Sequence, residues 1–513
     1  MENQLIPTLK LSLEMTEVLA DIEYQGLKIN PDTLQEIKEE YETEMHELEL
    51  RLESLARDAM GDTPVNLASP DDRSMLLYSR KVKDKKLWST VFNLGHEMRG
   101  STKKPKMRTR MKTTQFKNNV RALTEVIYKT RGERCAGCLG HGRNRPVNKN
   151  GAPSKVLRIC KPCNGAGVIY RNTGEVAGFK LIPRNAADTA SAGFKTDKTT
   201  LEDHVSGLDG SARDFVQAYV RYNALRTYLS TFVEGMQNNA DENSFIHPEF
   251  MQCVTATGRL SSRNPNFQNM PRGSTFAIRK VVESRFEGGY VLEGDYSQLE
   301  FRVAGFLAKD EQAYNDVQEG TDVHSYTASV IGCSRQEAKA HTFKPLYGGT
   351  TGTDAQQRYY RAFKQKYAGV KDWHDELQKE AVKHKQISLP SGRQYAFPGC
   401  KWTEWGTATN RTAICNYPVQ GFATADLLPI CLVRLHRMIK QENIRSVICN
   451  TVHDSIVMDV HPDEKDICIK LMTEAMLAIP EEAKKRYDID YDMPVDIELK
   501  IGHNWLDLQE VIL

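Results

Sequence analysis

The chain has 513 residues, 40% of them hydrophobic and 27% charged, with a net charge of +2; this suits several folded domains with large buried cores and excludes a disordered or fibrous chain. No run of about 18 apolar residues occurs, so no membrane partner is expected, and Met1 to Lys10 lacks the basic-then-apolar pattern of a signal peptide. Of 11 cysteines, four fall in two Cys-x-x-Cys pairs and the rest are scattered; they read as reduced thiols of a cytoplasmic protein (a host's cytoplasm if the source is viral) rather than as a disulfide framework.

In chain order, the first eighty residues read as helical. Asn30-Pro31-Asp32 can cap a helix start. Thr33 to Ala59 then carries Leu34, Ile37, Tyr41, Met45, Leu48, Leu52 and Leu55 at three- and four-residue steps, one apolar face of a helix roughly 40 Å long. Residues 81–132 turn basic and polar, with Lys103 to Lys106 and Arg108 to Lys112. From Arg80 to Lys195 there are 27 Lys and Arg against six Asp and Glu. Such a block in a near-neutral chain points to a polyanionic partner, with a solvated basic loop as the bland alternative. Two cysteine knuckles follow. Helical pattern resumes near Leu201, and Phe215 to Met236 reads as another helix. Tyr290 to Leu292 is a short apolar run ending in acids. Ser446 to Cys449 and Ile456 to Val460 are strand-like and flank a tight polar segment, Thr451 to Ser455, which predicts a hairpin.

Two acids sit at strand ends: Asp295 after the run at 290–292, and Asp454 in the hairpin turn. Taken singly, each is an ordinary turn or cap residue. Taken together they could share two Mg²⁺ ions, since magnesium uses one or two carboxylates with phosphate oxygens and water. A second pattern is Arg335, Lys339, Phe343 and Tyr347, spaced by four. Each step advances 400°, so they form one slowly rotating helical stripe. Two cations can hold a triphosphate and two rings can lie against sugar and base, although an ordinary amphipathic helix fits the spacing equally well.

These residues resemble motifs of the A family of DNA polymerases, the family of bacterial DNA polymerase I. Residues 295–302, Asp-Tyr-Ser-Gln-Leu-Glu-Phe-Arg, look like motif A; Arg335-x3-Lys339-x3-Phe343-x3-Tyr347-Gly348 looks like motif B; Val452-His453-Asp454 looks like motif C. Thr257 to Ser262 followed by Pro265 to Asn269 resembles a further signature, and the flanks at 22–26, 66–70 and 502–505 are similar too. The likeness covers about 5–80 and 190–513. It implies an α+β right-hand polymerase with an antiparallel palm sheet. Its parts would be a thumb at 1–80 and 194–245, a basic insertion at 81–193, a palm at 246–305 and 415–513, and fingers at 306–414. It also implies template-directed addition of deoxynucleoside triphosphates to the primer 3′-hydroxyl of primer–template DNA. Asp295 and Asp454 would bind Mg²⁺ with the Tyr296 carbonyl helping. Glu300 would exclude a 2′-hydroxyl. Arg335, Lys339, His324 and Gln298 would hold the triphosphate. Phe343 would pack on the sugar and Tyr347 near the base. Arg259, Asn416, Gln420 and His453 would touch the primer–template. A single-subunit RNA polymerase and a non-enzymatic DNA-binding scaffold are the rival readings; Glu300 argues against the first, the retained Asp295 and Asp454 against the second.

Three departures stand out. Ser455 replaces the Glu that the family usually has after the motif C Asp. Thr342-Phe343-Lys344-Pro345 replaces Asn-Phe-Gly, and Pro345 should bend the helix. Arg411 lies five rather than four residues before Asn416. The chain starts just before the thumb helices, so no proofreading exonuclease is expected in it, and the compact module with an unusual insert points to a bacteriophage member.

Cys135-x2-Cys138 and Cys160-x2-Cys163 each continue as Cys-x-Gly-x-Gly, which makes a repeated knuckle at 135–167. Four thiolates give Zn²⁺ a closed structural site, and the glycines allow the turns that aim the sulfurs; His141 is a substitute ligand and four unbound thiols are the alternative. The knuckles resemble the cysteine-rich domain of DnaJ-type chaperones over some 35 residues. Either the basic insertion holds duplex DNA or it docks a replication accessory protein.

Overall fold

The computed structural model describes residues 6–94, 111–145, 156–205, 207–271, 273, 275–350, 352 and 354–512. The chain forms two compact units, Met1–Lys38 with Tyr228–Leu513, and Glu39–Thr227. Helix α1 (Pro7–Gln25) ends at Gly26, whose φ of 64° suits a residue without Cβ. Helix α2 (Pro31–Met60) begins as the sequence predicts: Asn30 Oδ1 accepts from Thr33 N at 3.0 Å and proline fills the first position. Leu34 and Ile37 are buried in the first unit, and Leu52, Ala56 and Met60 in the second.

The second unit continues with α3 (Pro70–Tyr78), α4 (Lys85–Val91), α5 (Thr113–Leu123), the strands β1 (Tyr128–Arg134) and β2 (Val168–Val176), and α6 (Gly210–Tyr228). Here the basic stretch departs from the sequence expectation of a polar segment. Trp88, Phe92, Phe116 and Val120 join Leu52, Leu76, Leu77, Phe194 and Phe215 in one core. Each pair recurs at four residues, a helical face that the surrounding lysines mask in composition. Asp84 caps α4, accepting from Lys86 N at 2.8 Å and Leu87 N at 3.1 Å. The runs at 103–106 and 108–110 lie outside the described residues. Strands β1 and β2 pair antiparallel from Tyr128↔Val176 to Arg134↔Val168 as a mostly solvent-exposed ribbon.

The first unit resumes with β3 (Tyr290–Tyr296), α7 (Leu299–Ala308), α8 (Val323–Ile331), α9 (Arg335–Leu346), α10 (Asp354–Lys366), α11 (Ala368–His384), α12 (Arg411–Gly421), α13 (Leu428–Glu442), β4 (Val447–Val452), β5 (Ser455–Val460), α14 (Lys465–Leu477), β6 (Ile497–Gly502) and β7 (Gln509–Glu510). Its strands form one antiparallel sheet in the order β4-β5-β3-β6-β7. Gly294 is buried in β3, and a Cβ there would stand 2.6 Å from the sulfurs of Met472 and Met476, so α14 lies directly on that face. By strand alternation, Glu293 and Asp295 face the other way. The predicted hairpin is present, but its loop is only His453 and Asp454, because Val452 pairs with Ser455. Thr451 and Val452, read as turn from their polarity and position, are buried strand residues. Among the described residues no helix is long and apolar enough to cross a membrane.

Candidate active site and cysteine cluster

Strand pairing brings the two acids to one end of the sheet. Asp295 pairs in register with Ser455, the residue after Asp454, and Tyr296 N donates to the Asp454 carbonyl at 3.4 Å. His453 precedes Asp454 with φ 57°, a left-handed conformation in which a β-bearing residue is held by its surroundings. What holds it is Gln268, a buried side chain whose amide donates to the Thr451 carbonyl and whose Oε1 accepts from His453 N at 3.3 Å. Ser262 Oγ in turn accepts from Gln268 N at 3.2 Å. Thus the 257–269 signature buttresses the turn that carries Asp454, a role the sequence reading did not assign although it quoted the residues. On the other side, Arg302 is buried and donates to the Ser297 carbonyl at 2.7 Å and the Pro494 carbonyl at 2.6 Å, pinning the turn that follows Asp295.

Ser455 is fully buried and its hydroxyl donates to the Val452 carbonyl at 3.0 Å, closing the hairpin. A different carboxylate stands beside Asp295: Glu498 is its register partner on β6 and bonds Lys500 Nζ at 2.8 Å. No periodicity in the sequence could have revealed that pairing. The donor set at the strand ends, two carboxylates and the Tyr296 backbone, is hard oxygen and fits Mg²⁺.

Glu300 lies in the first turn of α7, after Gln298, whose φ of 54° turns the strand into the helix. Arg259 Nη2 donates to Glu300 Oε1, and Arg259 Nε reaches Thr424 Oγ1 at 3.4 Å. Burial lifts the Glu300 carboxyl above its ordinary range, and Arg259 offsets part of that rise. Along α9, the Phe343 and Tyr347 rings stack with centroids 6.0 Å apart and 15° between planes, so the aromatic half of the stripe is present. Arg335 instead pairs with Asp322, Nε to Oδ2 at 2.5 Å. Although burial opposes it, that bond helps hold Asp322 down at about 2. The Lys339 side chain lies outside the described residues. His324 Nδ1 bonds Thr342 Oγ1 at 3.0 Å, and its ring meets Phe343 edge-on at 5.5 Å. The departure at Thr342 therefore has a structural use: it links His324 to Thr327 at 2.9 Å. Lys344 lies 5.7 Å from the Tyr360 ring centroid, a cation–π contact. Helix α9 continues through Pro345 and ends one residue later, before Gly348 at φ 74°. Asn416 and Gln420 sit one turn apart on α12.

In the second unit, Cys135, Cys138, Cys160 and Cys163 are all buried. Among the described residues they are the one group of three or more metal-capable side chains whose ligand atoms lie within 4.8 Å of one another. The sulfurs of Cys135 and Cys160 are 3.8 Å apart, and those of Cys138 and Cys163 3.6 Å. A tetrahedral ion with bonds of about 2.3 Å needs sulfur–sulfur edges of about 3.8 Å. The two knuckles mirror each other. Gly142 N donates to Cys138 Sγ at 3.2 Å and Gly167 N to Cys163 Sγ at 3.3 Å. Cys135 N donates to the Gly167 carbonyl and Cys160 N to the Gly142 carbonyl, both at 2.9 Å. Such N–H···S bonds favour thiolates.

The sequence matches the family described as DNA polymerase family A over residues 178–507. It is 29% identical to DNA polymerase I of Lactococcus lactis over 354 residues, covering 64% of this chain and 38% of that protein. It is 25% identical to the DNA polymerase of Bacillus phage SP01 over 460 residues, covering 83% and 48%. In fold it is similar to the POL domain of Pol1 from M. smegmatis, solved in complex with DNA primer-template and dNTP. The TM-score is 0.63 at 20% identity, covering 96% of this chain and 70% of that one. The match to the Lactococcus protein thus spans less than two fifths of that relative's length.

Proposed function

We propose, from the premise that this chain belongs to DNA polymerase family A, that it is a template-directed DNA polymerase extending a primer with deoxynucleoside triphosphates. One observation carries the reading: strand register sets Asp295, at one end of the sheet, beside the two-residue loop that carries Asp454, and Tyr296 N bonds the Asp454 carbonyl. Asp295, Asp454 and the Tyr296 carbonyl would hold two Mg²⁺ ions, which when bound neutralise charge on the attacking and leaving oxygens. The rest is positioning by the chain's own groups. Arg335, Lys339, His324 and Gln298 receive the triphosphate. Arg335 must leave Asp322 to do so, and His324 is oriented by Thr342. Phe343 and Tyr347 form a wall for sugar and base. Glu300, fixed by Arg259, closes the space a 2′-hydroxyl would need. Arg259, Asn416, Gln420 and His453 meet the primer–template, so the Arg259 pair joins sugar selection to DNA contact.

In this reading the palm is 246–305 and 415–513, the fingers 306–414, the thumb 1–80 with 194–245, and 81–193 a zinc-bound insertion. The likeness to the phage SP01 polymerase supports a viral replicase. Primer extension with deoxy- or ribonucleotides, for wild type and Glu300→Ala, tests it. Wild type should use deoxynucleotides, and the variant should admit ribonucleotides. Extension by wild type with ribonucleotides alone would make the chain an RNA polymerase.

The four cysteines would hold one structural Zn²⁺. The basic insertion around them would grip duplex DNA through its phosphates, raising processivity; docking of an accessory protein is the competing role. Replacing 132–170, the exposed end of the ribbon with its cysteines, by a short turn leaves the core at Trp88 and Phe116 in place; processivity and DNA affinity across a salt series then separate the two roles, because an unchanged affinity and salt slope would reject the DNA grip.

A further inference from the structure

His324 is one end of a buried line of polar side chains that joins three helices. His324 and Thr327 lie one turn apart on α8, Thr342 lies on α9 next to Phe343, and Tyr359 lies on α10. Thr342 Oγ1 stands 3.0 Å from His324 Nδ1 and 2.9 Å from Thr327 Oγ1. Thr327 Oγ1 in turn stands 2.8 Å from the Tyr359 hydroxyl. All four residues are buried, Thr327 and Tyr359 completely. Tyr359 belongs to none of the motifs that mark the site.

The far end of the line is held firmly. The Tyr359 ring packs against Tyr326, Tyr360 and Phe363, with centroids 6.4, 5.8 and 6.0 Å away. Burial pushes its hydroxyl above the ordinary tyrosine range, so it keeps its proton and can donate. Each threonine can also send its single proton to a carbonyl one turn back in its own helix. For Thr327 that is Val323 at 2.8 Å, and for Thr342 it is Ala338 at 3.0 Å. Apolar side chains would pack three helices together without hydroxyls. Buried hydroxyls are stable only while bonded, so the line favours one setting of α8 against α9 and α10. That setting brings His324 to the helix that carries the Arg335–Tyr347 stripe. With Nδ1 engaged inside, Nε2 is the nitrogen that would meet a triphosphate.

We propose that Thr327 and Tyr359 are positioning residues for the incoming deoxynucleoside triphosphate, acting through Thr342 on His324, an inference that rests on the polymerase reading. Neither residue reaches the nucleotide, since Tyr359 is separated from the imidazole by two hydroxyls. Their effect therefore falls on nucleotide binding and not on the chemistry at Asp295 and Asp454.

The test uses the full chain with Tyr359→Phe, Thr327→Val and the double variant, and Thr327→Ser as the conservative control. Single-nucleotide extension gives the dNTP KM and kcat. Histidine nitrogen NMR reports on Nδ1, with the His324 signal assigned by its loss in His324→Gln. Either single variant should raise the dNTP KM about three- to tenfold, the worth of one hydrogen bond, with kcat held within about twofold. The double variant should be little worse than either single one, because both cut the same line. Thr327→Ser should keep the wild-type KM. The Nδ1 resonance should move in Tyr359→Phe and stay in Thr327→Ser. A lower melting temperature with KM and resonance unmoved would make the line a structural tie only and overturn the proposal. A fall in kcat at constant KM would overturn it too. A wild-type chain that extends no primer, with the resonance still moving in Tyr359→Phe, would sink the polymerase reading and leave the link from Tyr359 to His324 standing.

Discussion

Two antiparallel pairs of strands in this chain are built on opposite principles. The β4–β5 hairpin is buried along nearly all of both strands, and its two-residue loop presents Asp454. The β1–β2 ribbon is exposed along most of its length and ends in four buried cysteines. The first is held by apolar packing and a buried glutamine; the second closes on four clustered sulfurs that would share one ion. A catalytic acid needs a position fixed to a fraction of an ångström, and a packed sheet supplies it. A basic ribbon has little core to spend, so the ion proposed for its four cysteines would fix its end.

The sharpest way to break this comparison is to remove the metal. Chelation, or Cys160→Ser, should abolish hydrogen-exchange protection in 128–134 and 168–176 while 447–460 keeps its own, because structural zinc contributes on the order of 10 kcal/mol to such sites. Parallel loss in both hairpins would refute the division. Next come two glycines of the ribbon. Gly167→Ala should destroy metal binding, since φ is 74° and a Cβ would lie 2.3 Å from the Gly140 carbonyl. Gly174→Ala, with φ 83° but nothing within 4 Å, should cost only about 1 kcal/mol by melting. Equal effects would mean that backbone conformation and not close approach governs the knuckle. In the packed hairpin, Gln268→Leu removes the donor to the buried Thr451 carbonyl and an acceptor of the His453 amide, about 1–3 kcal/mol for the buried group. It should lower kcat and raise the Mg²⁺ demand with little change in dNTP KM; a change in KM alone would separate Gln268 from Asp454. The smallest effect concerns Asp322. Its folded carboxyl is held at about 2 against 3.8 unfolded, so the Arg335 pair stabilises above pH 3.8 and is lost as pH falls toward 2. Asp322→Asn should therefore flatten the acid limb of the stability profile, read by melting temperature between pH 2 and 4.

Much of this was legible from residues in sequence. The α2 cap, the apolar stripe, the hairpin and the paired knuckles are local patterns with periods of 3.6, 2 or a fixed spacing. What was not legible depends on partners far along the chain. Trp88 and Phe116 sit in a stretch that reads as basic and polar by composition, yet both belong to one core. Ser455 read as a missing ligand, whereas its hydroxyl closes the hairpin while Glu498, some forty residues on, stands beside Asp295. Thr342 read as a lost asparagine and instead orients His324. Substitutions at a site change which neighbour does the work, and a sequence names the residues without naming their neighbours.

The central claim is that Asp295 and Asp454 are the acids of a polymerase site and Ser455 is not. Single-turnover primer extension with Asp295→Ala, Asp454→Ala and Ser455→Ala tests it most directly. Either Asp variant should lose several kcal/mol of transition-state stabilisation, on the order of a thousandfold in rate, while Ser455→Ala stays within about tenfold, the worth of one buried hydrogen bond. Undiminished extension by the Asp454→Ala protein would contradict the account.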